Sequence, residues 1–114
     1  VPQVRPGSSF TDLMREMSAK GLGASAVVDA GQRVLGIFTD GDLRRLVEKG
    51  VDLRHLTAAD VMHADPRTLS ADALAVEAVA LMEQYRINSV LVVDKVGVLC
   101  GALNTNDLMR AKVI

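Results

Sequence analysis

The sequence predicts an α+β fold made of two β-α-β-β-α units, packed through their sheets about a pseudo-twofold axis. Three observations predict it. The chain aligns with itself at a shift of 65 positions, residues 1–49 on residues 66–114, without a gap. Each copy carries an apolar stripe at helical spacing. Each stripe is followed by a short β-branched run, a turn and a second apolar run, the pattern of a hairpin. Only 8 of the 49 aligned pairs are identical, but they fall at telling places: Met17 on Met82, Val27-Val28-Asp29 on Val92-Val93-Asp94, Gly36 on Gly101, Asp42-Leu43 on Asp107-Leu108 and Arg45 on Arg110. A unit of this length present twice is one supersecondary element, unable to bury its apolar face alone.

Each unit opens with an extended piece, Val1–Val4 in the first and Arg67–Leu69 in the second. A helix follows. Phe10, Leu13, Met14 and Met17 stand at i, i+3, i+4 and i+7, and Ala75, Ala78, Val79 and Met82 take the same places. Ser9-Phe10-Thr11-Asp12 resembles a capping box, and Gly21 and Gly23 mark the helix end. Ala24–Asp29 and Ser89–Asp94 read as strands. Ala30-Gly31-Gln32 and Lys95-Val96-Gly97 are the turns, and Arg33–Phe38 and Val98–Leu103 are the return strands. A final helix starts near Thr39 or Asn104. Between the copies, Gly50–His55 is a loop, and Thr57–Met62 is a short linking helix capped by Thr57. The repeat is divided as residues 1–55 and 56–114. Helices on one face of each small sheet bury the apolar stripes.

At 114 residues and 12.2 kDa the chain is long enough to bury roughly two-thirds of its unfolded surface without staples. The apolar fraction of 49% with a net charge of only −1 excludes a disordered chain. That charge also excludes a nucleic-acid binder, which needs a basic surplus. With no Trp, one Tyr and two Phe, the platforms that stack single-stranded bases are missing as well. No apolar run approaches the roughly eighteen residues of a membrane span, and there is no signal peptide. The opening Val1-Pro2-Gln3-Val4 reads as mid-structure, as in a segment of a longer protein. Cys100, the single cysteine, forms no intrachain disulfide. Between Leu99 and Gly101 it reads as a small buried hydrophobe in a reducing compartment.

The motif richest in chemistry is Gly36-Ile37-Phe38-Thr39-Asp40-Gly41-Asp42. A strand ends, a hydroxyl follows, and a carboxylate stands three residues on as a helix begins. One reading is a helix cap, with Thr39 capping and Asp42 at the positive end of the dipole. The second is compatible with it. Free N–H groups and the dipole at the junction suit a phosphate, Thr39 adds a donor, and Asp42 accepts from ribose hydroxyls. The second copy, Gly101 to Asp107, keeps the acceptor as Asp107 but has Asn104 for Thr39. The two sites are therefore inequivalent, with the first preferred.

Other motifs are excluded by context. Gly21-Leu22-Gly23-Ala24-Ser25-Ala26 follows a helix and precedes a strand, the reverse of a dinucleotide fingerprint. His55 and His63, eight apart and without cysteine partners, do not form a metal set. Arg44, Arg45, Glu48 and Lys49 read as a solvated helix face. No nucleophile–base or paired-carboxylate constellation points to catalysis.

The doubled β-α-β-β-α unit, with its V-V-D strand and G-h-h-[TN]-x-x-D junction (h, apolar), resembles a pair of CBS domains, the Bateman module, over the whole chain. Gly36 to Arg45, Ala59-Asp60-Val61-Met62 and Ile87 to Val92 are similar to the C-terminal CBS pair of bacterial D-arabinose 5-phosphate isomerases of the SIS-CBS family. The resemblance implies a cytoplasmic regulatory module without catalytic residues. The active site would lie in an N-terminal sugar isomerase (SIS) domain, in the supply of Kdo for lipopolysaccharide. It also implies a homodimer formed through the helices, for which Met14, Met17, Val79 and Met82 are candidate positions, and a nucleotide ligand. The pathway's end product makes that ligand CMP-Kdo, with an adenine nucleotide as the alternative. Carried over, Thr39 and Asp42 share a site with Asn88 and Ser89, and Asn104 and Asp107 share the mirror site with Gly23 and Ala24. Arg86 and His63 are further donors for an acidic sugar. A purely structural oligomerisation module is the alternative role.

Overall fold

A computed structural model of the protein describes residues 1–20, 23–73 and 75–110. The chain divides into two compact units, residues 1–66 and 67–114. In the first, β1 (Gln3–Val4), α1 (Phe10–Lys20), β2 (Ala24–Val28), β3 (Val34–Thr39) and α2 (Asp40–Glu48) are followed by α3 (Ala58–Val61) and β4 (His63–Ala64). The second has β5 (Thr68–Ser70), α4 (Ala75–Tyr85), β6 (Ser89–Val93), β7 (Leu99–Asn104) and α5 (Thr105–Arg110). Helices α1 and α4, strands β2 and β6, and strands β3 and β7 coincide residue for residue at the shift of 65. The linking segment packs with the first unit, whereas the division at 55/56 places it at the head of the second repeat.

The sheets share one register. β1 runs parallel to β2, with Gln3 opposite Ala26, and β5 runs parallel to β6, with Thr68 opposite Leu91. Each hairpin is antiparallel and carries a bulge at the same place: Val27 faces Gly36 but Val28 faces Val34, and Val92 faces Gly101 but Val93 faces Leu99. The turns match as well. Asp29 Oδ1 accepts the N–H groups of Gly31 and Arg33, and Asp94 Oδ1 those of Val96 and Val98. Gln32 and Gly97, each three residues after its aspartate, take positive φ at 66° and 86°. The repeated Val-Val-Asp is thus a strand closed by an Asx turn.

Sheet order in the first unit is β1-β2-β3-β4, and in the second β5-β6-β7. β4, which the sequence pattern does not mark, pairs with β3 through Gly36 opposite Ala64 and Ile37 opposite His63.

The predicted stripes form the cores. In the first unit Phe10, Leu13 and Met17 pack with Phe38, and the two rings meet edge to face at 5.8 Å. In the second, Ala78 and Met82 pack with Leu69, Val90 and Leu108. Met17 and Met82 are therefore core residues. Met14 and Val79 are half-buried against the same clusters. Ala75 is exposed, because α4 begins there and its stripe faces the sheet only from Ala78 onward.

Cys100 departs from the burial its apolar neighbours suggest: it is exposed. It is the extra residue of the β7 bulge, and a bulged residue has no partner to fix the alternation of faces. Ser9 caps α1 as expected, its Oγ accepting from the Asp12 N–H at 3.1 Å. Gly21, read as a helix terminator, and Leu22 lie outside the described residues.

Candidate functional site

The candidate residues gather at the two strand-to-helix junctions. β3 ends at Thr39 in extended conformation (φ −122°, ψ 166°), and α2 begins one residue later. The expected cap is present in reciprocal form. Thr39 Oγ1 accepts from the Asp42 N–H at 3.2 Å. Asp42 Oδ2 in turn accepts from the Thr39 N–H at 2.9 Å and from its hydroxyl at 3.0 Å. Two donors at the helix start are satisfied together, and the carboxylate lies at the positive end of the dipole. The other oxygen, Oδ1, accepts from the Arg45 guanidinium, one turn along α2. Arg45 is exposed, as its place on a solvated helix face predicts, but the sequence reading did not pair it with Asp42. The i,i+3 spacing from Asp42 was the available signal.

The start of β2 is tied to the same point. The Asp40 N–H donates to the Gly23 carbonyl at 3.0 Å. Gly23 has φ +74°, a conformation that favours glycine, and a Cβ there would stand 2.9 Å from Asp40 Oδ2, so the Asp40 carboxylate would have to turn aside.

The second junction repeats the geometry with an amide for the hydroxyl. Asp107 Oδ2 accepts from the Asn104 N–H at 2.8 Å, and Asn104 Oδ1 accepts from the Asp107 N–H at 2.9 Å. The Asn88 carbonyl accepts from the Thr105 N–H and hydroxyl, and Ser89 stands opposite Asn104 in the sheet. Asn88, Ser89, Asn104 and Asp107 thus meet within the second unit, and Thr39 and Asp42 within the first. His63 is exposed on β4 opposite Ile37, two residues before Thr39. Arg86, exposed, takes φ +53° where α4 ends, the position that glycine Gly21 holds in the first copy.

An open depression of about 380 Å³ lies elsewhere, at the turn end of the second sheet, lined by Ser70, Ala71, Asp72, Asp94, Lys95 and Val96. Among the described residues no group of three or more His, Cys, Asp or Glu side chains could hold a metal ion. No helix among them is long and apolar enough to cross a membrane. What the junctions offer is a fixed pair of a carboxylate and a hydroxyl or amide, twice, at helix starts.

Residues 1–49 and 58–114 match the CBS domain family. The chain belongs to that family. This CBS chain is 45% identical, over all 114 residues, to arabinose 5-phosphate isomerase KdsD of Pseudomonas aeruginosa and 42% identical to KdsD of Escherichia coli K12. It spans about a third of the length of these curated relatives, 35% and 34%. Among solved structures it resembles the CBS domain protein PAE2072 from Pyrobaculum aerophilum, complexed with AMP. The TM-score is 0.85 and the identity 23%, with 93% of this chain and 81% of that one covered.

Proposed function

We propose that this CBS pair is the regulatory module of an arabinose 5-phosphate isomerase and senses a nucleotide at its strand-to-helix junctions. The observation that carries the reading is the Thr39–Asp42 junction in a chain 45% identical to KdsD along its whole length. The isomerase chemistry is assigned to an N-terminal SIS domain outside these residues, since the relatives are about three times as long. The setting is cytoplasmic, in lipopolysaccharide biosynthesis, and the module works as a homodimer.

CMP-Kdo is the preferred ligand, as an end product acting on an early enzyme. Asp42 accepts from the ribose hydroxyls. Thr39 and the Gly41 N–H at the start of α2 hold the phosphate, since the Asp40 and Asp42 N–H groups are already donated to the Gly23 carbonyl and to Thr39 Oγ1. His63, opposite Ile37 in the same unit, is a donor for the acidic sugar, and Asn104 and Asp107, with Asn88, Ser89 and the nearby Arg86 of their own unit, form the second, weaker site. An adenine nucleotide is the alternative, favoured by the AMP bound to PAE2072.

The test is calorimetric titration of CMP-Kdo, CMP and AMP into the parent chain, Asp42→Ala and Asp107→Ala. A lost hydrogen bond to a charged group costs about 1.5–3 kcal/mol. Asp42→Ala is therefore expected to bind about ten- to a hundredfold more weakly. Unchanged affinity in Asp42→Ala with loss in Asp107→Ala would reverse the order of the sites. Binding of AMP but not CMP-Kdo would replace the ligand. No binding and no rise in melting temperature with any of them would leave a purely structural module.

A further inference from the structure

Both oxygens of Asp42 are engaged. Oδ2 takes the Thr39 N–H and hydroxyl, and Oδ1 takes Arg45 at 2.5 Å. The guanidinium folds back over the start of α2. A Cβ on Gly41 would stand 3.5 and 3.6 Å from its two terminal nitrogens and 3.7 Å from Thr39 Oγ1. Cation, carboxylate and hydroxyl thus occupy one small patch of surface.

Charge makes that patch informative. The first turn of α2 carries two carboxylates, Asp40 and Asp42. A phosphate brought beside Thr39 meets both, and their repulsion opposes the helix dipole. Arg45 is the cation that the fold places against Asp42. Its charge is permanent, and a guanidinium has five donors. The Arg45 side chain is 57% exposed, against 22% for Asp42, so the guanidinium also faces outward, where an anion would arrive.

We propose that Arg45 is the charge-compensating residue of the first nucleotide site, offsetting Asp42 so that a carboxylate able to accept ribose hydroxyls coexists with a bound phosphate. The proposal rests on the nucleotide reading above and adds a property to it: the site distinguishes anionic from uncharged ligands through Arg45.

The experiment titrates AMP, CMP and adenosine into the parent chain, Arg45→Ala and Arg45→Lys, at low ionic strength and at about 0.5 M salt, where charges more than a few ångströms apart are screened. Arg45→Ala is expected to weaken AMP and CMP about fivefold at low salt, the upper end for a solvent-exposed charge pair. Arg45→Lys restores most of the loss. High salt removes most of the difference, and adenosine changes less than about twofold. Three results would overturn the proposal while leaving the nucleotide reading intact, because the parent still binds. One is unchanged nucleotide affinity in Arg45→Ala. Another is tighter binding, as when Arg45 merely competes for Oδ1. The third is an equal loss for AMP and adenosine at both salt concentrations. If the parent binds none of the three ligands, the nucleotide reading itself fails and this proposal falls with it.

Discussion

Replacing Gly36 by alanine tests the seating of β4 against β3. Gly36 is buried and pairs with Val27 on one side and Ala64 on the other. A Cβ there would lie 2.5 Å from Met62 Sδ, 2.8 Å from Met62 Cγ and 3.0 Å from the His63 carbonyl oxygen. Comfortable contacts are about 3.5–4.0 Å. The thioether can swing away. The carbonyl is backbone, held by the pairs Gly36–Ala64 and Ile37–His63, and retreats only if those pairs open. Overpacking of this kind costs about 1–3 kcal/mol. For a chain of this size each kcal/mol lowers Tm by about 5 °C, so a fall of about 5–15 °C is expected. The internal control is Gly101→Ala at the equivalent position. Among the described residues nothing lies within 4 Å of its Cβ, and its φ is not left-handed. That change is expected to be neutral or to stabilise by up to about 1 kcal/mol, through the lost freedom of the unfolded chain. Thermal melts of both variants by circular dichroism, beside the parent, give the answer. If Gly36→Ala melted with Gly101→Ala, Met62 and β4 would not be seated as described.

Two further outcomes are expected. Asp60 accepts from the Thr57 N–H at 2.8 Å and from its hydroxyl at 3.0 Å, and these bonds hold its carboxyl below the ordinary carboxylate value. A depressed folded pKa contributes stability that is full above the unfolded value, about 3.9, and is lost as pH falls through the folded one. The Tm difference between the parent and Asp60→Ala should therefore be steady from about pH 5 to 7 and shrink below about pH 4. A gap as wide at pH 2 as at pH 6 would remove Asp60 from the cap. Cys100, exposed on the β7 bulge, should react with a thiol reagent in the folded protein about as fast as in denaturant. Reaction only on unfolding would restore the buried reading.

The repeat, the element order and the helix stripes were legible in the sequence because they depend on local periodicity, which a packed structure rarely overrides when it recurs twice. Val27-Val28-Asp29 and Val92-Val93-Asp94 specify a strand and an Asx turn by short-range chemistry alone. Thr39 with Asp42, and Thr57 with Asp60, specify caps in the same way, since donor and acceptor lie within four residues. Tertiary structure decided what depends on distant partners. Two residues, His63 and Ala64, carry no periodic signal, and they form β4 only because β3 presents an edge beside Gly36. The exposure of Cys100 follows from a bulge, which is a property of two strands in register and not of either alone. Arg45 looked like one charge on a polar helix face. It became part of the candidate site because the capping box commits one oxygen of Asp42 to Thr39 and turns the other toward it.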